Sequence, residues 1–318
     1  MVNSTMDSMV KIAKGQTNPD NFFEKLLYYN RARDAFGDLL LTLRSHDFCL
    51  FLPAYIGISP KEGSGLYDPV RGNDITHCFY KMDRFLHVDL DDLRDKLSSH
   101  QGKKAMLLVH YWGYVDPRYQ EIAACAKECG CLLIEDMAHA FYTEYVDHSC
   151  GYMGEASFYS LHKMFPRNDG GMLKVRNAAL SEPLSQKPCD ISFPADYNFH
   201  AIALRRKENA ALWESLLEKH QDKFEILRPC AQYAKNTPQT YPVRVIRKDR
   251  FEIYKELNEQ GYGAVSLYHT MIDPIREQGF KESLELAGTI LNMPVHQDVT
   301  ASQIREMFEL LLEVYARV

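Results

Sequence analysis

Two side chains of opposite charge, Asp136 and Lys163, carry the chemistry that this sequence suggests most strongly. Asp136 directly follows the apolar run CLLIE, so its carboxylate ends a buried strand, where a charge is costly unless something pairs with it. Lys163 lies in the segment SFYSLHKMFPRNDGG, residues 157–171, among apolar and aromatic neighbours. A lysine in such surroundings loses the solvation of its ammonium form, and its neutral amine becomes available as a nucleophile.

Each of the two residues also has an ordinary interpretation. Asp136 fits a helix N-cap or a salt bridge to a nearby arginine, and Lys163 fits a surface side chain whose stem packs on apolar groups. A metal site is a weaker interpretation, because His139 lies three residues after Asp136 but no second carboxylate–histidine set has ligand spacing. An acid at a strand end, followed by a lysine after a further strand and a tight turn, is the pair that pyridoxal phosphate requires. The lysine makes a Schiff base, and the acid keeps the pyridine nitrogen protonated so that the ring accepts electrons.

The phosphate of such a cofactor also needs binding groups. Backbone N–H groups at a helix N-terminus bind phosphate well, and NRARDAF, residues 30–36, predicts a turn that opens into a helix. Ser160 adds a hydroxyl close to the lysine in sequence. Taken singly, Ser160 is equally compatible with a plain loop serine, and NRARDAF with an ordinary helix start.

Alternating strands and helices predict the scaffold that positions these residues. Strands are predicted in FCLFLPAY, HCFYKMD, KAMLLVHYWG and CLLIEDMAHA, and helices in VDLDDLRDKLSSH and PRYQEIAACAKECG. This order predicts an α/β fold whose mainly parallel sheet is sandwiched by helices. Ligands of such sheets bind beyond the carboxyl ends of the strands, here at 53–55, 110–113 and 135–139. Before these elements, FFEKLLYYN predicts a short helix, and a second helix follows from about Arg33.

The character of the sequence changes after GGMLKVR. Residues 180–198 contain three prolines and little periodicity, so we interpret them as a connection. A charged helix, ALRRKENAALWESLLEKH, then precedes two strand-like segments, TYPVRVI and YGAVSLYH, and two helices, DRFEIYKELNEQG and TASQIREMFELLLEVYARV. We expect a loosely ordered N-terminus at 1–20, a large α/β domain at 21–198 and a smaller α+β C-terminal domain at 199–318.

Composition excludes several classes of protein. A formal net charge of −6 lacks the basic excess of a nucleic-acid-binding protein. No stretch reaches about eighteen uncharged apolar residues, and the N-terminus has no apolar signal segment, so neither membrane insertion nor export is expected. The eight cysteines form no paired CxxC elements, and we expect reduced thiols in a cytoplasmic protein. No GxGxxG motif opens a helix, which argues against a nicotinamide-dependent enzyme.

The sequence resembles the DegT/DnrJ/EryC1/StrS family, the sugar aminotransferases of the aspartate aminotransferase superfamily with fold type I. The specific part is LLIEDMAHAFYTEYVDHSCGYMGEASFYSLHKMFPRNDGGMLKV, which is similar to the family's IEDxAHA, a glycine-containing hairpin, GxxxxFS, the lysine and GG. Weaker similarities flank it in YNRARDAFGDLLLTL, LFLPAY, LLVHYWGYVDP and LNMPVHQDVT. The resemblance therefore covers nearly the whole chain.

This resemblance implies a pyridoxal-phosphate-dependent aminotransferase and assigns roles at its centre. Lys163 would bind the cofactor covalently and move the proton of the reaction. Asp136 would pair with the pyridine nitrogen, and His139 would lie near the ring or its phenolic oxygen. A subset of the family dehydrates sugars and carries histidine in place of the lysine, so Lys163 argues against that branch.

The resemblance also implies a phosphate site and a homodimer. Ser160 would bind the phosphate together with the turn at Ala32 and Arg33, and Asn198 in DYNFH would be lent to the partner subunit. The chain departs from the family pattern here, because Ala32 replaces a usual glycine. The spacing S-x-x-x-x-K is shortened to SLHK, which leaves Ser160 or Ser157 as the phosphate ligand. The region before the charged helix is also shorter than in the family.

The expected reaction moves an amino group, from glutamate as the expected donor, to a nucleotide-linked keto-sugar for surface polysaccharide, lipopolysaccharide or a related glycan. The alternative is a catalytically degenerate relative that acts as a binding or regulatory protein. The missing glycine and short loops favour this alternative, whereas the retained acid and amine disfavour it. Further candidates for the pocket lining, or equally for capping the core, are His269, Tyr55, Tyr111 and Trp112.

Overall fold

The computed structural model describes residues 23–60, 63–264 and 268–318. The N-terminus predicted to be loosely ordered, 1–20, lies outside these ranges, as do positions 265–267 of the predicted strand YGAVSLYH. The described ends of that segment, 262–264 and 268–269, belong to no strand. Within the described ranges, every helix is too short or too polar to cross a membrane.

A seven-stranded sheet forms the centre of the larger part of the molecule. Its strands are β1 (Lys25–Tyr29), β2 (Cys49–Pro53), β3 (His77–Tyr80), β4 (Lys104–Val109), β5 (Leu132–Asp136), β6 (Ala156–Ser160) and β7 (Gly171–Val175). Their spatial order is β1-β7-β6-β5-β4-β2-β3. Strands β2 to β6 are parallel, and β7 is antiparallel to its neighbours β1 and β6. The predicted mainly parallel sheet is confirmed.

Helices cover this sheet and explain why its strands are buried. They are α1 (Ala32–Leu43), α2 (Tyr67–Gly72), α3 (Leu90–Ser99), α4 (Tyr119–Glu128), α5 (Phe141–Tyr145) and α6 (Ala178–Ser181). Helix α3 begins where the sequence predicts, because the carboxylate of Asp89 caps it by accepting the N–H of Asp92. Helix α1 packs Phe36 against Phe158 of β6, with ring centroids 4.7 Å apart. These contacts hold α1 directly beside the strand that precedes Lys163.

The C-terminal part of the chain builds a second, smaller layer. Its elements are α7 (Phe199–Leu217), β8 (Phe224–Ile226), β9 (Thr240–Val245), α8 (Arg250–Glu259), α9 (Asp273–Gln278), α10 (Lys281–Thr289), β10 (Ile290–Pro294) and α11 (Ala301–Arg317). Strands β10, β9 and β8 form an antiparallel sheet in that order. Trp213 of α7 is fully buried in the apolar cluster between this sheet and its helices. The fold therefore has the α+β C-terminal part that the sequence predicts.

The short helix predicted in FFEKLLYYN is wrong, because residues 25–29 form β1. A segment of this length with clustered apolar residues fits a strand and a helix equally well. Pairing with β7, which lies far away in sequence, stabilises the strand conformation. In this strand, Leu27 and Tyr29 are buried and Tyr28 between them is partly exposed. The second predicted helix exists as α1 and begins one residue earlier, at Ala32.

Two hydrophobic clusters correspond to the two layers, but the chain does not divide cleanly between them. The cluster of the smaller sheet contains Trp213, Tyr241 and Leu311. The cluster around the large sheet also contains residues that follow position 199 in sequence, among them Met271 and Ile290. The domain boundary at 198–199 remains a prediction, and the C-terminal part packs closely onto the larger one.

Candidate active site

A cavity of about 620 Å³ opens beyond the carboxyl ends of β5 and β6. Asp136, Ser160 and Lys163 line it together, and Ala32 and Arg33 line it from the start of α1. Parallel strands place their carboxyl ends at one edge of a sheet, so residues distant in sequence meet there. The structure thus brings five of the seven predicted site residues into one space.

Asp136 is the buried acid of this cavity. It is 4% exposed, and its Oδ1 accepts the N–H of Ala138 at 2.8 Å. Burial raises the pKa of Asp136, although the Ala138 hydrogen bond and the positive charge of Lys163 oppose this increase. A carboxyl group held in this way is stabilised as an anion by any cation that enters the cavity.

Glu135, directly before it, faces the other side of β5 and forms a site that the sequence interpretation missed. Its Oε2 accepts from Tyr119 at 2.6 Å and lies 2.9 Å from His110 Nε2. The N–H groups of Gly151 and Gly154 donate to its two carboxylate oxygens. Burial alone would raise the pKa of Glu135, but these hydrogen bonds and the charge of His110 lower it to about 2. The only sequence signal was that Glu135 is the first of the two acids in IED.

Lys163 ends the short 3₁₀ turn Leu161–Lys163 that follows β6. The expectation that apolar neighbours desolvate its amine is wrong, because Lys163 is exposed while Leu161 and Met164 beside it are buried. Its Nζ lies 3.2 Å from Nε2 of His139. His139 does not line the cavity but lies behind Lys163, 4% exposed. Burial holds the pKa of His139 well below its ordinary value, so the imidazole is neutral.

The start of α1 faces the same cavity and has the character of an anion site. Its N-cap residue, Arg31, makes no side-chain capping hydrogen bond, and it lines the cavity with Ala32 and Arg33. The positive end of the helix dipole therefore lies at the cavity. The guanidinium groups of Arg31 and Arg33 form ion pairs with Asp169 and Asp68. Gly171 lets the helix approach, because a Cβ there would lie only 2.3 Å from the carbonyl carbon of Arg31.

The two candidate serines lie in different places. Ser160 lines the cavity, with its Oγ 3.3 Å from Nδ1 of His162. Ser157 is fully buried outside the cavity lining, and its hydroxyl accepts a hydrogen bond from Arg176. Ser160 is therefore the better placed of the two for the predicted phosphate contact.

Asn198 does not lie in the cavity of its own chain. It is the N-cap of α7, and its side chain accepts the N–H of Ala201. Its predicted role toward a partner subunit stays a prediction. Of the further pocket candidates, His269 lines the cavity, whereas Tyr55, Tyr111 and Trp112 form a buried aromatic cluster beside it.

Tyr268 completes the cavity from the C-terminal part of the chain and was not predicted. It contacts the rings of Tyr55, Tyr111 and His139 and has a left-handed backbone, with φ of 62°. Gly57 allows this, since a Cβ on it would lie 2.8 Å from the Cα of Tyr268. Tyr268 was not predicted as a site residue because the pattern of its segment, YGAVSLYH, predicted a strand.

Comparison with known protein families identifies the central segment. Residues 76–186 match the model of the DegT/DnrJ/EryC1/StrS aminotransferase family. The resemblance to this family is confirmed. The matched segment runs from β3 through β7, so it contains Asp136, Lys163 and the glycine pair at 170–171. The predictions of an aminotransferase and of pyridoxal phosphate as cofactor are confirmed at the level of this family.

Curated relatives and solved structures extend the comparison. A pleiotropic regulatory protein of Geobacillus stearothermophilus is 22% identical over 262 residues, which are 71% of this chain and 69% of the relative. SpsC of Bacillus subtilis, a spore coat polysaccharide biosynthesis protein, is 28% identical over 99 residues, 30% of this chain and 25% of SpsC.

Solved structures of aminotransferases share the fold of this chain. NtdA of Bacillus subtilis with bound cofactor PMP is 16% identical with a TM-score of 0.73, covering 92% of this chain and 73% of NtdA. PseC of Helicobacter pylori, an aminotransferase involved in the biosynthesis of pseudoaminic acid, is 17% identical with a TM-score of 0.70, covering 92% and 87%. These likenesses confirm the predicted α/β fold of this enzyme family.

Proposed function

We propose that this protein is a pyridoxal-phosphate-dependent aminotransferase that acts on a sugar. One observation carries the proposal: a buried acid, Asp136, and an amine, Lys163, line the same cavity. Residues 27 positions apart meet there because the strand β6 and a short turn lie between them. An N-cap role for Asp136 alone does not explain why this buried acid lines the same cavity as the exposed Lys163.

The donor set of the cavity fits the cofactor. Asp136 would face the pyridine nitrogen, and Lys163 would hold the cofactor through its amine. Ser160 and the start of α1 at Ala32 and Arg33 would bind the phosphate, where the helix dipole favours an anion. The close packing of Gly171 against Arg31 supports this site, because it brings the N-terminus of α1 to the edge of the cavity.

In transamination, Asp136 and Lys163 would have different roles that follow from their charges. When bound, the cofactor supplies an aromatic ring that accepts the electron pair left when a proton leaves Cα of the amino donor. The buried carboxylate of Asp136 would keep the ring nitrogen protonated, because a nearby negative charge stabilises the cationic form of that nitrogen. Lys163 would take the proton and return it.

We infer a nucleotide-linked keto-sugar as amino acceptor and glutamate as donor, for a surface polysaccharide such as lipopolysaccharide or a related glycan. The names of SpsC and PseC support a sugar substrate. Arg31 and Arg33 at the cavity lining, now paired with Asp169 and Asp68, would bind a diphosphate by exchanging these carboxylates for it. A cytoplasmic homodimer, in which Asn198 reaches the partner's cavity, completes the proposal.

A second candidate is a catalytically degenerate relative that binds a ligand or regulates a partner. The name of the Geobacillus stearothermophilus relative, a pleiotropic regulatory protein, favours it. Ala32 in place of glycine favours it as well. The retained Asp136 argues against it, because a buried acid is costly to keep without a ligand.

Turnover separates the two candidates. The full chain is loaded with pyridoxal phosphate and incubated with glutamate and a panel of nucleotide-linked keto-sugars, and amino-sugar products are detected by mass spectrometry. We expect one or a few amino-sugar products, and none from Lys163→Ala. Bound cofactor without any product across the panel and other amino donors would favour the second candidate.

A further inference from the structure

His139 is hydrogen-bonded through both nitrogens of its ring. Its Nδ1 accepts the backbone N–H of Trp112 at 3.2 Å, and its Nε2 lies 3.2 Å from Nζ of Lys163. In a neutral imidazole one nitrogen carries the hydrogen and the other accepts. A backbone N–H only donates, so the hydrogen of His139 is on Nε2, where it faces the lysine.

The backbone of Trp112 is held in an unusual conformation that presents this N–H. Its φ of 57° and ψ of 18° are left-handed, which is rare for a bulky residue. The surroundings fix it there: the N–H of Gln239 donates to the Trp112 carbonyl at 2.7 Å, and Thr143 Oγ1 donates to the Gly113 carbonyl at 2.6 Å. Strained conformations that their surroundings over-determine are concentrated at functional sites.

The hydrogen on Nε2 of His139 restricts the protonation state of the Lys163 amine. An ammonium group has three donors and no lone pair, so it cannot accept a hydrogen bond. At 3.2 Å, the contact between Nε2–H and Nζ is therefore a hydrogen bond only when the amine of Lys163 is neutral. A protonated His139 would lose the Trp112 contact, and burial of its ring opposes that state.

We propose that His139 is a positioning residue that keeps the amine of Lys163 neutral before the cofactor arrives, with the Trp112 N–H selecting the tautomer. The inference rests on the proposed function, since a neutral amine matters only if Lys163 is the nucleophile. It differs from a contact between His139 and the cofactor ring, because it operates in the chain alone.

Other charged groups also face this lysine and enter the balance. Asp136 from β5 favours the ammonium form, and the cationic groups of α1 oppose it. Among the described residues, the other titratable groups that line the cavity are Arg31, Arg33, His162, Asp169, Tyr268 and His269. His139 lies within hydrogen-bond distance of Nζ, so replacing it tests the proposal while the other groups stay in place.

Acetylation of the full chain measures the protonation of Lys163 without cofactor. Hydroxylamine first removes any carbonyl adduct, and the chain is then treated with acetic anhydride at a series of pH values. Mass spectrometry compares the peptide of Lys163 with that of Lys281, whose side chain is 80% exposed. We expect the acetylation midpoint of Lys163 to lie at least about one pH unit below that of Lys281.

Variants decide whether His139 is the cause. His139→Gln places an amide donor near the Nε2 position and keeps the low midpoint, whereas His139→Phe moves it toward that of Lys281. His139→Asn, whose amide reaches only the Nδ1 position, behaves like His139→Phe and serves if that variant fails to fold. His46→Phe, at an exposed position, is the control and leaves the midpoint unchanged.

A Lys163 midpoint equal to or above that of Lys281 would overturn the inference, as would a low midpoint that persists in both His139→Phe and His139→Asn. These outcomes are separate from a failure of the proposed function, which appears as absent cofactor binding or turnover.

Discussion

Asp136 and Glu135 are neighbours in sequence but have opposite electrostatic environments. Burial raises the pKa of Asp136, whereas hydrogen bonds from His110 and Tyr119, with backbone N–H groups, lower that of Glu135 to about 2. Successive residues of a strand face opposite sides, so β5 directs one acid into the cavity and the other into a closed network. Asp136 therefore has a role in catalysis, and Glu135 has a role in stability.

Asp136→Asn keeps the shape of the side chain and removes its charge. We expect the chain to fold and to bind cofactor at Lys163, but transamination slows by on the order of 10²–10³, the size of other electrostatic losses in active sites. The half-reaction with glutamate, followed by absorbance in single turnovers, measures this loss. Asp169→Asn at the cavity lining is the control, and a rate within tenfold of wild type for Asp136→Asn would contradict the role.

Glu135→Gln should destabilise the fold with a defined pH dependence. The folded-state pKa of about 2 lies below the ordinary value of 4.5, so the carboxylate stabilises the fold above about pH 4.5. This contribution is lost as the pH falls from 4.5 toward 2. At pH 7 we expect a loss of about 3 kcal/mol, the lower range for breaking a buried charged pair.

Unfolding in urea at several pH values measures this effect. The difference between wild type and Glu135→Gln should be largest at pH 5 to 7 and shrink at pH 3. Glu128→Gln, at an exposed ion pair with Arg94, is the control and should change little. An equal loss at pH 3 and pH 7 would mean that the charge of Glu135 is not what stabilises the fold.

At the scale of elements, the approach of α1 to β7 shapes the predicted phosphate site. Gly171→Ala would place a Cβ against the backbone of Arg31 and push the start of α1 away. We expect the affinity for pyridoxal phosphate to fall by about tenfold or more, a cost of about 1.4 kcal/mol. Absorbance titration of the cofactor-free chain measures the Kd.

Gly288→Ala in α10 is the matched control, because a Cβ there has no neighbour within 4 Å. This change should leave the Kd unchanged and stabilise the fold by about 0.4–1 kcal/mol. An unchanged Kd in Gly171→Ala would show that the start of α1 does not bind the phosphate.

Local patterns predicted β5, which carries Asp136, and its neighbours β4, α3 and α4, because these segments have clear periodicity and stop signals. They did not predict β1, whose strand conformation depends on pairing with β7. The Glu135 network and Tyr268 were missed for the same reason. Each depends on contacts between segments far apart in the chain, and no single-sequence period contains that information.

At the scale of the whole molecule, the cavity is built by both parts of the chain. Two backbone hydrogen bonds join the segment around Ile56 and Ile58 to the C-terminal part of the chain. The N–H of Ile58 donates to the carbonyl of Thr270 at 2.8 Å, and the N–H of Ile272 donates to the carbonyl of Ile56 at 3.0 Å. These bonds hold Tyr268 and His269 at the lining. A deletion of the C-terminal part would therefore open the site as well as remove a layer of the fold.

A shared site in a homodimer makes a prediction about mixed subunits. Lys163→Ala and Asn198→Ala should each have little activity alone. Co-expressed in equal amounts, they should regain about one quarter of wild-type activity, because half of the dimers are mixed and each contains one intact site. Activity per subunit of the purified mixture measures this, and full activity of Asn198→Ala alone would contradict the shared site.

The central claim is that Lys163 and Asp136 hold opposite sides of one pyridoxal phosphate. Reduction of the cofactor-loaded chain with borohydride, followed by peptide mass spectrometry, tests it most directly. We predict visible absorbance before reduction, one fixed cofactor per chain on the peptide that contains Lys163, and no label in Lys163→Ala. A colourless chain that takes up no cofactor, or a label on another lysine, would contradict the account.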